Sequence, residues 1–302
     1  FPKRKLADKG EITLKEMLSH YARLRPWIPF YEETLNRKEK PKTRFYKTSS
    51  RSSFSTPVTE NLYLKKNYKE KIFKSIVNSD LIENLEFKYS DLPFYFLKFW
   101  FEDIYNKPLD LIAEERIFNK LQLERTMFNP YKKLNLDEIV PTEEDDFFRY
   151  SKLHGYVHDE GAAMLGGVSG HAGLFSNSYE VAVILQAMIQ GGLYNDQRLF
   201  ESESLDVFNT CYYCEFDNRS GVGFDKPQIE GNHGSTFGGV SMNSFGHYGY
   251  TGSMAWADPD EEIIFVFLSN RTFPTRKNTL LQTSNIRTRS QEIVYKALID
   301  SR

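Results

Sequence analysis

The stretch His247-Tyr248-Gly249-Tyr250-Thr251-Gly252-Ser253-Met254-Ala255-Trp256-Ala257-Asp258-Pro259-Asp260, with Ile263-Ile264-Phe265-Val266-Phe267-Leu268-Ser269 after it, decides the fold class. Apolar and aromatic runs of strand length, broken by turn residues, predict strands over 246–253, 254–257 and 263–269, with Asp258-Pro259-Asp260 as the turn between the last two. Residues 285–300 read as a closing helix. Upstream, the pattern is helical. Residues 12–24 carry apolar side chains at helical spacing, with Thr13 and Glu16 placed as a capping box. Residues 92–105 are too aromatic on all sides for a surface helix and predict a buried one. Residues 109–121 and 179–190 predict two more helices, the second ended by Gly191-Gly192. Helices followed by an antiparallel meander and a last helix over the sheet make the fold class α+β.

Composition bounds the partners. The chain has 302 residues, with 39 Lys plus Arg against 41 Asp plus Glu. That balance gives no electrostatic reason for nucleic acid or an anionic membrane as partner. No apolar run approaches the roughly 18 residues a membrane-spanning helix needs, so no transmembrane segment is expected. Glycine and lysine divide the chain: every glycine but Gly10 falls between Gly155 and Gly252, whereas lysine is concentrated before Lys152. The first half therefore reads as solvated amphipathic helices and the second as tight turns and close backbone approaches. The basic, serine-rich segment 36–56 lacks periodicity and reads as an exposed loop. Cys211 and Cys214 have no second Cys/His pair at ligand spacing, which favours a structural or incidental pair over half of a zinc site. The chain opens at Phe1 without methionine or a signal-peptide pattern, an opening that looks like a processed or cut end.

Three segments combine chemically useful side chains with turn residues. In Tyr89-Ser90-Asp91, before the aromatic helix, the phenol suits proton transfer if a nearby cation lowers its pKa, and Asp91 is an acceptor; the bland alternative is a helix cap. In His247 to Ser253, Gly249 within a strand leaves room for close approach and a free N–H for an oxyanion. Strand alternation would put His247 and Gly249 on one face, Tyr248 and Tyr250 on the other; the alternative is a glycine bulge. The third segment holds His158, Asp159 and Glu160, then Gly166-Gly167 through His171 to Ser176. His158 and Asp159 adjoin rather than sharing a helix face, which argues against a metal site. The glycines fit no phosphate loop. His158, Asp159 and His171 remain candidates for lining a site.

The order of these segments carries more than any one. Residues 12–20, Tyr89-Ser90-Asp91, 117–130, 166–176 and His247-Tyr248-Gly249 together resemble the serine β-lactamase-like superfamily, which includes class C β-lactamases, penicillin-binding proteins and related esterases. The resemblance implies an antiparallel sheet flanked by helices plus an all-helical subdomain. It implies one domain over 1–302, mainly helical with loops over about 12–240, with strands and closing helix over 246–302. It also implies acyl-enzyme hydrolysis of an ester or amide, with no cofactor. By that resemblance Tyr89 matches the proton-transferring tyrosine. Asp91 stands where asparagine is commoner, and His247 stands where a basic residue contacts a substrate carboxylate. Gly249 keeps the strand open, and the Tyr250 N–H is one of two oxyanion donors. The family nucleophile sits in Ser-x-x-Lys, which this sequence lacks; its place would fall before Ile12. The resemblance thus implies a piece lacking the nucleophile helix and first strands, inactive by itself. A non-catalytic module that binds glycan or peptidoglycan peptide is the alternative. Residues 23–31, 141–144 and 156–160 further look like the domain on the C-terminal side of Bacteroidetes family 3 glycoside hydrolases, usually labelled β-N-acetylglucosaminidases. That likeness implies an exported or periplasmic protein, a glycosidase domain in the same polypeptide, and a small-molecule, peptide or glycan substrate.

Overall fold

A computed structural model describes residues 9–227 and 235–299. Its organising sheet is the C-terminal meander: β10 (Phe245–Tyr248), β11 (Met254–Asp258) and β12 (Ile263–Phe267), in the order β10-β11-β12, all antiparallel. Register pairs His247 with Ala255 and Trp256 with Phe265. Alternation then sorts the side chains. Phe245, Ala257, Ile264 and Val266 pack with Leu185 of helix α6 (Ser178–Ile189). Met254, Trp256 and Phe265 form a separate cluster with Val240. Helix α9 (Ile286–Ile299) closes the sheet, its buried Tyr295 donating to Asp258 at 3.1 Å; residue 300 of the expected helix lies outside the described residues.

A larger core lies elsewhere. It joins α3 (Leu92–Tyr105), through Leu92 and Tyr95, to α2 (Tyr68–Val77), through Ile72 and Ile76, and to Val58, Leu64 and Phe148. The region 12–240, expected as mainly helical with loops, also holds nine short strands, β1 to β9, between residues 46 and 198 among the described residues. They form small antiparallel sheets, such as β5 (Pro141–Asp145) on β6 (Ser151–His154). Two-residue to five-residue strands are too short for a period-two pattern to show in sequence. The segment 36–56, expected as an exposed loop, is pinned by Tyr46, 3% exposed in the core.

The expected helix over 12–24 is only α1 (Leu14–Leu18). Its capping box is formed, with the Thr13 N–H donating to Glu16 at 2.7 Å and the Glu16 N–H to Thr13 at 3.2 Å. The helix stops because His20 and Arg23 take left-handed φ values of 54° and 55°. The expected helix over 109–121 divides into α4 (Leu109–Ala113) and a π-turn, Glu114–Phe118. Cys211 and Cys214 form a disulfide.

The glycine-rich half is used for close approach, as expected. A Cβ on Gly161 would stand 1.6 Å from the Tyr95 hydroxyl, and one on Gly170 would stand 2.6 Å from the Phe94 carbonyl. Helix α5 (Glu160–Met164) and the loop after it can therefore lie against the first turn of α3 only where side chains are missing. Gly161→Ala is expected to destabilise the fold by about 1–3 kcal/mol through overpacking. Tyr95→Phe, which removes the nearest clashing atom, should recover part of that loss. Urea denaturation of both single variants and the double variant checks this, and simple additivity would count against the contact.

Candidate active site

Tyr89-Ser90-Asp91 enters α3 as expected, but the capping work falls to Ser90. Its hydroxyl accepts the Leu92 N–H at 3.2 Å and donates to the Arg25 carbonyl at 2.6 Å. The Asp91 carboxylate makes no capping bond and is left for the site. Tyr89, 42% exposed, lies between two imidazoles: its ring centre is 4.5 Å from His20 and 6.0 Å from His247. Partial desolvation, then the Asp91 and Asp225 carboxylates, hold the Tyr89 phenol above its ordinary range. The largest influences on it all favour the neutral, proton-bearing form. Asp91 is itself pushed up, chiefly by burial.

A second wall comes from Asp159 and His171. Asp159 Oδ1 accepts the Ala162 N–H at 2.7 Å, capping α5, and also lies 2.8 Å from His171 Nε2. His171 Nδ1 is 2.9 Å from the Ser169 hydroxyl, and its ring stacks on Tyr95 at 4.0 Å. Burial works against the Asp159 anion, but His171 holds the carboxyl down at about 2. His171 in turn acts on Asp91, and the Asp159 charge reaches both Asp91 and Tyr89. Both ring nitrogens of His171 are engaged, so it orients this wall rather than meeting a ligand.

The structure thus brings Tyr89, Asp91, His247, Asp159 and His171 to one place. His158 faces elsewhere: its Nδ1 is 2.9 Å from Glu143, and its ring stacks on Tyr250 at 5.0 Å. The guanidinium of Arg271 lies 4.7 Å from the same Tyr250 ring. Because His158 and Asp159 diverge, they share no ion, and among the described residues no three His, Cys, Asp or Glu side chains could hold a metal.

Two expectations about the segment His247 to Ser253 are corrected. β10 ends at Tyr248, so Gly249 lies in a turn and not in a strand, and the alternation predicted for Gly249 and Tyr250 does not apply. Nor is the Gly249 N–H free, since it donates to Ser253 at 2.9 Å. The Tyr250 N–H makes no hydrogen bond among the described residues. The turn closes because Gly252, at φ 94°, donates back to the Gly249 carbonyl at 3.0 Å.

Sequence reading missed His20, Asp225 and Arg219 as site residues. Asp225 is 3.2 Å from Arg219 and accepts from Ser235 at 2.8 Å. Nothing local marks them, since each reaches the site through contacts far apart in the chain.

With the geometry in hand, comparison with known proteins places the molecule. The antiparallel sheet flanked by helices has the fold of β-lactamase and penicillin-binding-protein-like proteins. The chain belongs to the Beta-lactamase family, whose profile it matches over residues 1–285. It is similar to a protein of Escherichia coli strain K12 named "Putative D-alanyl-D-alanine carboxypeptidase", at 38% identity over 198 residues, covering 61% of this chain and 44% of that protein. The like-named protein of Salmonella typhi is 31% identical over 296 residues, covering 90% of this chain and 66% of its own length. The chain therefore spans less than two thirds of the length of these relatives. Among solved structures, a penicillin-binding-protein homologue from Caulobacter crescentus aligns with a TM-score of 0.54 at 16% identity, covering 88% of this chain and 68% of that one. Unliganded simvastatin synthase from Aspergillus terreus, as its selenomethionyl derivative, aligns at 0.55 and 11%, covering 92% and 67%. At such identities the likeness concerns fold alone.

The wall beside Tyr250 makes a pH prediction. Glu143 is buried, which opposes its charge, yet bonds from Arg276 at 2.6 and 2.7 Å and the contact with His158 hold it at about 2, against 4.5 ordinarily. A depressed carboxyl contributes stability that is fully present above the unfolded value of 4.5 and is lost as pH falls through about 2. Arg276→Met leaves that charge undercompensated and is expected to cost on the order of 3 kcal/mol at pH 7. It should also flatten the acid limb of stability between those two values. Urea midpoints against pH for both proteins check this; parallel curves would contradict it.

Proposed function

We propose that this chain carries the proton-handling and oxyanion-binding side of an acyl-transfer site, in a serine hydrolase that cleaves an ester or amide, in the manner of D-alanyl peptide carboxypeptidases. The observation that carries the reading is Tyr89, packed between His20 and His247 beside the Asp91 and Asp159 carboxylates. A serine oxygen would bond to the substrate carbonyl carbon, the amine or alkoxide would leave with the serine proton relayed through Tyr89, and water would then cleave the acyl-serine ester. The unpaired Tyr250 N–H would donate to the carbonyl oxygen as it gains charge. His247 would meet a substrate carboxylate.

No Ser-x-x-Lys occurs in the sequence, so we place nucleophile and lysine on a segment of the whole protein outside these residues. A lysine ammonium beside the Tyr89 phenol would lower its pKa and make it a proton shuttle. Asp91 in place of asparagine would give that ammonium an anionic partner. The further expectations, an exported protein and a glycosidase domain in the same polypeptide, belong to this proposal; the Cys211–Cys214 disulfide is in keeping with an oxidising compartment. Asp91 also favours a second reading, a non-catalytic module binding glycan or peptidoglycan peptide, because a charged acceptor suits amide recognition less well than asparagine.

The test is acylation. Full-length protein treated with a fluorophosphonate or a β-lactam is expected to gain the mass of one acyl group, and Tyr89→Phe to slow this about 100-fold or more. Residues 1–302 alone should show no mass gain. Acylation of that polypeptide would overturn the placement of the nucleophile, and an inert full-length protein would favour the binding module.

A further inference from the structure

One buried residue, by its main chain and its ring, holds the backbone on both sides of Tyr89. His20 is 4% exposed. Its main-chain carbonyl accepts the Lys88 N–H at 2.9 Å, and its ring Nδ1 accepts the Ser90 N–H at 3.2 Å. The amides flanking Tyr89 are thus bound by a single residue, whose ring also packs against the Tyr89 ring. An Nδ1 that accepts leaves the ring proton on Nε2, in the neutral form. The segment bearing His20 is braced from its other side, since the Leu18 carbonyl accepts from the Gly223 N–H at 2.9 Å and the Ser19 carbonyl from Asn218 at 2.8 Å. His20 itself takes φ 54°, a conformation open to few side-chain-bearing residues. Local strain of this kind persists only where the surroundings enforce it.

We propose that His20 is a positioning residue for Tyr89: its neutral ring, accepting from the Ser90 amide and packed on the phenol, sets the Tyr89 hydroxyl in the acyl-transfer site, and protonation of that ring releases it. The inference rests on the role given to Tyr89 above. A protonated imidazole offers no acceptor, so Nδ1–H would face the Ser90 N–H donor to donor. The groups facing His20 among the described residues act in order. Burial opposes the charge most, then His247; Asp225 favours it and Arg219 opposes it, and His20 is brought down to about 4 from 6.5. Tyr89 is neutral there. A depressed base loses ground on acidification: the unfolded chain takes the proton first, so stability falls as pH drops from 6.5 toward 4. Only near the lower value does the folded ring itself protonate and let go of Ser90.

His20→Asn and His20→Phe in the full-length protein separate the roles. Asparagine places an acceptor oxygen near the position of Nδ1 and tolerates positive φ; phenylalanine keeps a ring without an acceptor. By NMR hydrogen exchange at pH 7, the Ser90 amide should keep its protection in His20→Asn and lose about tenfold or more in His20→Phe. Wild-type protection at Ser90 should fall around pH 4, whereas His20→Asn should not follow it. Acylation should stay within about threefold of wild type in His20→Asn and slow about tenfold in His20→Phe, with inhibitor affinity unchanged. Unaltered Ser90 protection in His20→Phe, or the same acid transition in His20→Asn, would overturn the proposal; should His20→Phe fail to fold, the second comparison decides. A wild type that is never acylated would refute the reading of the site, while amide exchange would still decide whether His20 holds Tyr89.

Discussion

The contact on which the site depends is the bond between Asp159 and His171. One carboxylate oxygen caps α5 and binds the imidazole, and the imidazole then lies flat on Tyr95 in the first helical region after Asp91. A single anion thus fixes a helix start, a glycine-rich loop and the aromatic helix relative to one another. Its charge is tolerated because two donors, the Ala162 N–H and the His171 ring, replace part of the water that it loses. Glycines at 161 and 170 are the steric counterpart, since neither position has room for a Cβ at this approach.

Electrostatics follows from that arrangement. Asp159 is held down and Asp91 is pushed up, so two carboxyls that are alike in water are driven apart, while the Tyr89 phenol is held above its ordinary range. Such separation assigns distinct roles to acid and base partners. The Tyr250 ring packs against His158 and Arg271, and Glu143, itself paired with Arg276, contacts His158. Asp159 and Glu143 are thus both ionised carboxylates held by partners, His171 for the one and Arg276 and His158 for the other.

Much of this was legible in the residues. Strand-length apolar runs broken by turn residues gave the C-terminal meander, and the dense aromatic run gave α3 within its observed bounds, because both patterns are local and long. Tyr89, Asp91 and His247 were legible as candidates through residue type and the order of segments. His20 was not. It lies 70 positions from Ser90, and its value arises from a buried acceptor meeting an amide, which no spacing rule records. Gly249 misled for a related reason: a strand and a tight turn share the same residues there, and only the bond from its N–H to Ser253 distinguishes them.

By itself, the sequence determined the α+β class, the family resemblance, the capping box at Thr13 and Glu16, and the absence of Ser-x-x-Lys from these residues. Those properties reside in identity, order and short-range periodicity. Tertiary structure alone decided which histidine accepts the Ser90 amide beside Tyr89, which amide beside Gly249 is unpaired, and that His158 and Asp159 take different partners. These depend on distances between segments far apart in the chain, and on burial, which turns an ordinary imidazole or carboxylate into one with a fixed protonation state.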